Sequence, residues 1–161
     1  MTDAPQHVRP WQIVTAPAGS FRTVREDGVV RARGIRYAEA QRFAAPTPFA
    51  YPQTSPQHPF PADIPAPACP QRHQDTDERL IALGFDEHCQ RLSITRPEDG
   101  RTDLPVLLWI HGGSYTGGAG DLPHYDPRWL VREQGVIVVS VTYRLGLFGY
   151  LGDAGSREAN A

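Results

Sequence analysis

The sequence predicts an α/β protein built on a mixed sheet, and three stretches carry that expectation. Val106 to Ile110 reads Val-Leu-Leu-Trp-Ile, a continuous apolar run without polar alternation, which is the pattern of a strand buried on both faces. Val136 to Val141 reads Val-Ile-Val-Val-Ser-Val, a second such run rich in β-branched residues. Between them Asp126 supplies an N-cap, Pro127 a first helical residue and Gly135 a stop. Trp129, Leu130 and Val131 give the enclosed helix an apolar face. The two strands are expected to run parallel, as neighbours across this helix or with one strand between them. The first strand ends abruptly at His111-Gly112-Gly113, with further glycines at 117, 118 and 120. Glycine lacks a Cβ, so such a loop can turn sharply and bring its N–H groups close to a ligand. The C-terminal ends of strands are where open α/β sheets place their chemistry.

The preceding chain reads as antiparallel edge strands. Trp11 to Thr15 and Phe21 to Val24, separated by Ala16-Pro17-Ala18-Gly19-Ser20, form a hairpin, and Val29 to Ile35 is a third strand. From 44 to 70 the density of proline forbids a regular helix or a central strand, so this is a loop, ordered or mobile. Asp75 to Leu83 has the makings of a short helix, Leu92 to Thr95 is a strand, and Pro97-Glu98-Asp99-Gly100 is a turn.

At 161 residues and 40% hydrophobic composition the chain can bury a core as one domain. A net charge of −2 is too small to imply nucleic acid or a membrane surface as partner. No apolar run approaches the ~20 residues that span a bilayer. The first twenty residues lack a basic start followed by an apolar stretch, so no secretory signal is expected, and a cytoplasmic location is favoured. All 16 basic residues are arginine, which removes Schiff-base chemistry and the lysine of a phosphate loop. Gly-x-Gly-x-x-Gly is also missing, so nucleotide binding is disfavoured and no cofactor is implied.

Trp-Ile-His-Gly-Gly (109–113), the following hydrophobic strand, and Tyr-Arg-Leu-Gly-x-x-Gly (143–149) together resemble the type-B carboxylesterases, a family of bacterial esterases, cholinesterases and cholinesterase-like adhesion proteins. Further matches are Gly-Ile-Arg-Tyr-Ala (34–38), with arginine where the family has proline, Arg42-Phe43, and Asp-Glu-His-Cys (86–89). The resemblance implies the N-terminal part of an α/β-hydrolase sheet that ends before the nucleophile elbow, with residues 1–161 as a partial domain. It implies an oxyanion hole whose donors are the N–H groups of Gly113 and Ser114, with Gly112 shaping the turn and His111 supporting it by hydrogen bonding. His124 is expected in a solvated loop. It also implies an Arg42–Glu87 salt bridge, and it makes Arg144 an internal residue whose family partner lies beyond Ala161. Arg144 is then expected to find another carboxylate or to point to solvent.

The family places a disulfide where Cys69 and Cys89 lie, which would suit an oxidising compartment. Free buried thiols suit a reducing one. A zinc site from Cys69, His73, His88 and Cys89 matches no standard spacing, so no metal is implied.

Ester hydrolysis of this type needs a nucleophile, a base and an acid. No Gly-x-Ser-x-Gly occurs, and in the family the elbow, acid and histidine all follow the Tyr-Arg-Leu-Gly element. None of the triad is therefore expected in this chain, and neither His111 nor His124 is its histidine. Gly-Gly-Ser-Tyr-Thr (112–116) is a near miss that would make Ser114 the nucleophile of a small hydrolase. The favoured reading is an N-terminal fragment of a serine esterase, inactive alone, whose partners are a carboxylic ester and a complementing C-terminal chain. A non-catalytic cholinesterase-like binding module is the alternative. The segment between Cys69 and Cys89 has no tryptophan on which a choline ammonium could stack, which disfavours a choline ester.

Overall fold

A computed structural model describes residues 11–72 and 77–151. The elements follow in chain order as β1 (Trp11–Ala16), β2 (Gly19–Glu26), β3 (Val29–Arg36), β4 (Ala38–Glu39), β5 (Thr47–Pro48), β6 (Phe60–Pro61), α1 (Glu78–Leu83), β7 (Arg91–Pro97), β8 (Val106–Ile110), α2 (Arg128–Gln134), β9 (Ile137–Thr142) and α3 (Gly146–Tyr150). Seven strands form one mixed sheet in the order β1-β2-β3-β7-β9-β8, with β6 added parallel to β2.

Local chemistry accounts for the connections. The β2–β3 turn is Asp27-Gly28, both with positive φ (49° and 78°), the dipeptide that the twist of a two-residue hairpin favours. Asp77 caps α1 by accepting from the Arg79 N–H at 3.0 Å. Helix α2 begins at Arg128, with Pro127 rather than Asp126 at the cap position, yet the Asp126 carboxylate still accepts from the Arg128 N–H at 3.0 Å. The helix stops at Gly135, which adopts the left-handed conformation. Of its three apolar residues only Val131 is buried, packed with Val29 and Val138, while Trp129 and Leu130 are exposed. Strands β8 and β9 are adjacent and parallel, with Leu108 opposite Val139. The 44–70 loop is ordered: Phe21, Tyr51 and Phe60 pack edge to face, and Ala62, Ala66 and Ala68 are buried.

Burial on the sheet differs from expectation. Strand β8 is exposed along its whole length, from 38% at Trp109 to 64% at Val106, instead of buried on both faces. Two causes act together. β8 is the last strand and pairs only with β9. Its register also puts Val106, Leu108 and Ile110 beside Ile137, Val139 and Val141, on a face where the described residues leave the β8 side chains uncovered. The covered face is the polar one. Val138, Ser140 and Thr142 are buried, opposite Thr95, Ser93 and Arg91.

That polar face is hydrogen-bonded, as burial requires. One Asp121 carboxylate oxygen accepts from the Ser93 hydroxyl and the Ala66 N–H, each at 2.6 Å, and Ser93 Oγ accepts from the Gly34 N–H at 3.2 Å. Thr142 Oγ1 accepts from the Gly120 N–H at 3.0 Å. Arg31, nearly fully buried, pairs with Glu26 at 2.9 Å and Asp126 at 2.6 Å.

Candidate active site: the glycine loop after β8

Strand β8 delivers the chain to His111, and residues 112–118 turn back over it. Gly113 has φ +125°, and a Cβ there would overlap the Gly117 carbonyl oxygen. At Gly118, with φ +112°, a Cβ would sit 2.5 Å from His111 Nδ1. Glycine is therefore required at 113 and 118. Gly112 has open space around its Cβ position, so the turn is shaped by Gly113 and Gly118 rather than by Gly112. Ser114 and Tyr115 follow with φ of 53° and 60°, a conformation that side chains disfavour and that must be held by surrounding bonds.

The Gly113 carbonyl accepts from the N–H groups of Thr116 (3.0 Å) and Gly117 (3.2 Å), and the Tyr115 carbonyl from the Gly146 N–H at 2.7 Å. The Gly118 N–H donates to Gln71 Oε1 at 2.7 Å, and Gln71 Nε2 donates to the carbonyls of Gly118 (3.0 Å) and Cys69 (2.9 Å). The sequence offered no periodicity or motif that would have singled out Gln71. Within this bonded frame, the N–H groups of Gly113 and Ser114 donate to no other group among the described residues, and both residues are exposed. The Ser114 hydroxyl bonds to no histidine there. Two unengaged N–H groups at the C-terminal end of a strand are free to donate to an oxygen brought to them.

His111 is buried and structural. Its ring stacks on Tyr143 with centroids 4.5 Å apart, and its Nδ1 lies 2.9 Å from the Gly112 carbonyl. That acceptor places the proton on Nδ1. Burial pushes the imidazole pKa below its ordinary value, so the ring is neutral at pH 7. Nε2 is buried and, among the described residues, has no partner. His124 is exposed in the short turn Pro123–Tyr125, its ring tilted at 57° against that of Tyr125.

Arg42 and Glu87 pair through two parallel bonds, Nε to Oε2 at 2.8 Å and Nη2 to Oε1. The pair lies at the surface, with the Arg42 side chain 60% exposed. Arg144 does not point to solvent. It is buried and donates to the carbonyls of Ala44 at 2.9 Å and Gln41 at 3.4 Å, bracing the loop that carries Arg42.

The expected disulfide is corrected: Cys69 and Cys89 are free thiols, both buried in one cluster with Leu145. Cys69 Sγ accepts from the Leu145 N–H at 3.2 Å, so the sulfur serves a backbone group of the Tyr-Arg-Leu-Gly element. The neighbouring Cys89 thiol holds the Cys69 pKa down, while Cys69 and burial push that of Cys89 up. Of the zinc alternative, His73 lies outside the described residues, and no group of three or more metal-binding side chains is found within them. No helix among them is long and apolar enough to cross a membrane.

Cavities occur away from the glycine loop. One of about 280 Å³ lies among Arg31, Ser93, Asp121 and Asp126, and another of about 260 Å³ beside Arg42, Glu87 and Arg144. The Gly113–Ser114 turn lines neither of them.

Comparison with known proteins agrees with this architecture. The family model described as the carboxylesterase family matches residues 12–161. A protein described as a probable N-octanoylanthranilate hydrolase from Rhodococcus erythropolis is 37% identical over 156 residues, covering 93% of this chain and 33% of that protein. The acetylcholinesterase of Bungarus fasciatus is 40% identical over 146 residues, covering 83% of this chain and 23% of its own length. A solved thermophilic PNB esterase superposes with a TM-score of 0.78 at 33% identity, over 93% of this chain and 31% of the esterase. The chain thus spans a third or less of the length of these relatives, and its sheet corresponds to the N-terminal part of their α/β-hydrolase fold.

Proposed function

This chain belongs to the carboxylesterase family, and on that premise we propose that it is the N-terminal part of a carboxylic-ester hydrolase, one that presents oxyanion donors and is inactive alone. Residues 1–161 are then one partial α/β-hydrolase domain with 44–70 as an internal loop. The observation that supports this reading most directly is the pair of unengaged N–H groups at the exposed residues Gly113 and Ser114, on a turn held by bonds at the Gly113 and Tyr115 carbonyls and at Gly118. Attack on an ester carbonyl develops negative charge on its oxygen, and two donors fixed beforehand stabilise that charge without reorganising. The nucleophile, base and acid come from elsewhere, because the 161 residues contain no Gly-x-Ser-x-Gly. A turn on open surface also needs walls to hold an ester, and these come with the same missing portion. The uncovered face of β8 and β9 is where a complementing chain would seat. The hydrolase and esterase names of the relatives favour this reading over a non-catalytic binding module.

The test is hydrolysis of a short-chain p-nitrophenyl ester by the purified chain, alone and mixed with a separately produced C-terminal portion of a related esterase. No hydrolysis alone and hydrolysis on mixing is the expected result. Activity of the chain alone, abolished by Ser114→Ala, would replace this reading with a small Ser114 hydrolase. A stable complex that hydrolyses nothing would sink it.

A further inference from the structure

We propose that Gln71 is the positioning residue of the glycine loop: its amide clamps Gly118 on both sides and thereby fixes where the Gly113 and Ser114 N–H groups point. The proposal rests on the oxyanion reading for its purpose, though not for its test.

The geometry is that of a two-sided clamp. Gln71 Oε1 accepts from the Gly118 N–H at 2.7 Å while Nε2 donates to the Gly118 carbonyl at 3.0 Å. The same Nε2 donates to the Cys69 carbonyl at 2.9 Å, two residues back, so the amide cannot rotate without losing a bond on its own strand of chain. Cys69 is anchored in turn, because its sulfur accepts from the Leu145 N–H. The next residue, Gly146, donates to the Tyr115 carbonyl at the opposite side of the loop. The turn is therefore suspended between Gly118 and Tyr115 from one buried cluster of Cys69, Cys89 and Leu145.

This suspension matters because Ser114 and Tyr115 sit in the left-handed region and would relax if released. Relaxation would reorient the peptide units that carry both donors, and misplacing such a group by about 1 Å is enough to lose most of its effect. Gln71 touches neither donor. It acts through Gly118, Gly117 and the Gly113 carbonyl, which accepts from Gly117 at 3.2 Å.

The experiment is native-state amide hydrogen exchange on the 161-residue chain, comparing the wild type with Gln71→Met, which keeps the shape and removes the amide's bonds to Gly118 and Cys69, and Gln71→Glu, which keeps the acceptor for the Gly118 N–H but sets a carboxylate oxygen against the Gly118 and Cys69 carbonyls. Losing these hydrogen bonds should speed exchange at Gly118, Thr116 and Gly117 by about ten- to a hundredfold. Amides of Val138 to Val141 should be unchanged, and Gln71→Glu, whose second oxygen faces two carbonyls, should protect Gly118 less than the wild type does. Exchange at Thr116 and Gly117 that ignores Gln71→Met overturns the proposal. So does acceleration that spreads equally to β9, because that is a general loss of stability.

In the reconstituted esterase, Gln71→Met should lower kcat at least tenfold with KM within about twofold, as expected for an interaction made in the transition state. Local acceleration with kcat unchanged also overturns the proposal. A reconstituted wild type without activity counts against the hydrolase reading, and the exchange data then still decide the clamp.

Discussion

The Tyr143 hydroxyl donates to the His111 carbonyl at 2.8 Å while the Tyr143 ring stacks on the His111 imidazole at an interplanar angle of 19°. This joins the end of β8 to the residue after β9, so the glycine loop leaves the sheet in a fixed direction. Tyr143→Phe keeps the stack and removes the bond, leaving the His111 carbonyl short of a donor. A loss of about 1–2 kcal/mol is expected, seen as a fall of a few degrees in Tm. An unchanged Tm would show that water replaces the hydroxyl without penalty.

Gly113→Ala and Ser114→Gly should separate sharply. Alanine at 113 cannot hold φ +125° and would overlap the Gly117 carbonyl, so the turn must move. Glycine at 114 retains the N–H and relieves a positive φ. In the reconstituted enzyme kcat should fall roughly a hundredfold or more for Gly113→Ala and stay near wild type for Ser114→Gly. Equal losses in both would point to the Ser114 side chain rather than to the backbone donors.

Two carboxylates should respond to pH with opposite signs. The hydrogen bonds and charge of Arg42 hold the Glu87 pKa below the ordinary carboxylate range. A depressed folded pKa contributes stability above the unfolded value and loses it as pH falls through the folded value. Glu87→Gln should therefore be less stable than wild type at neutral pH, with the difference vanishing in acid and shrinking in high salt. Burial pushes the Asp121 pKa up, against the bonds from Ser93 and Ala66. A raised folded pKa contributes stability below the unfolded value and loses it as pH rises. Asp121→Asn should therefore gain on wild type as pH rises through the carboxylate range. Urea midpoints between about pH 3 and pH 8 check both, and parallel curves would refute the assignments.

The uncovered β8 should drive self-association. An edge strand with bare apolar side chains is a template for pairing. Leu108→Lys places a charge on a side chain already 59% exposed, so the monomer should change by no more than about 0.5 kcal/mol. Sedimentation should show less association in the variant, and reconstitution with a C-terminal portion should weaken in parallel. Association that persists undiminished would place the contact elsewhere.

Much of this protein was decided within short windows of sequence. The hairpin strands, the two parallel strands, the helix between them with its Asp126 and Gly135 signals, and the glycine turn all follow from residues a few positions apart. Helix caps, β-branched runs and glycine conformations act over that distance. The motif resemblance added the pairing of Arg42 with Glu87 and the expectation of donors at Gly113 and Ser114, though it misjudged the state of the cysteines. Tertiary structure alone decided which side of each strand is covered. The run Val106–Ile110 reads as fully buried because its composition suits a sheet covered on both faces, but strand order leaves it at the edge here. The run Val136–Val141 likewise reads as buried on both faces, yet it is the side of Val138, Ser140 and Thr142 that is buried, where Asp121 and Gly34 bond to Ser93 and Gly120 bonds to Thr142. Gln71 follows the proline-rich stretch directly and has no pattern of its own. Its role appears only when Gly118, 47 residues away, comes within reach of its amide.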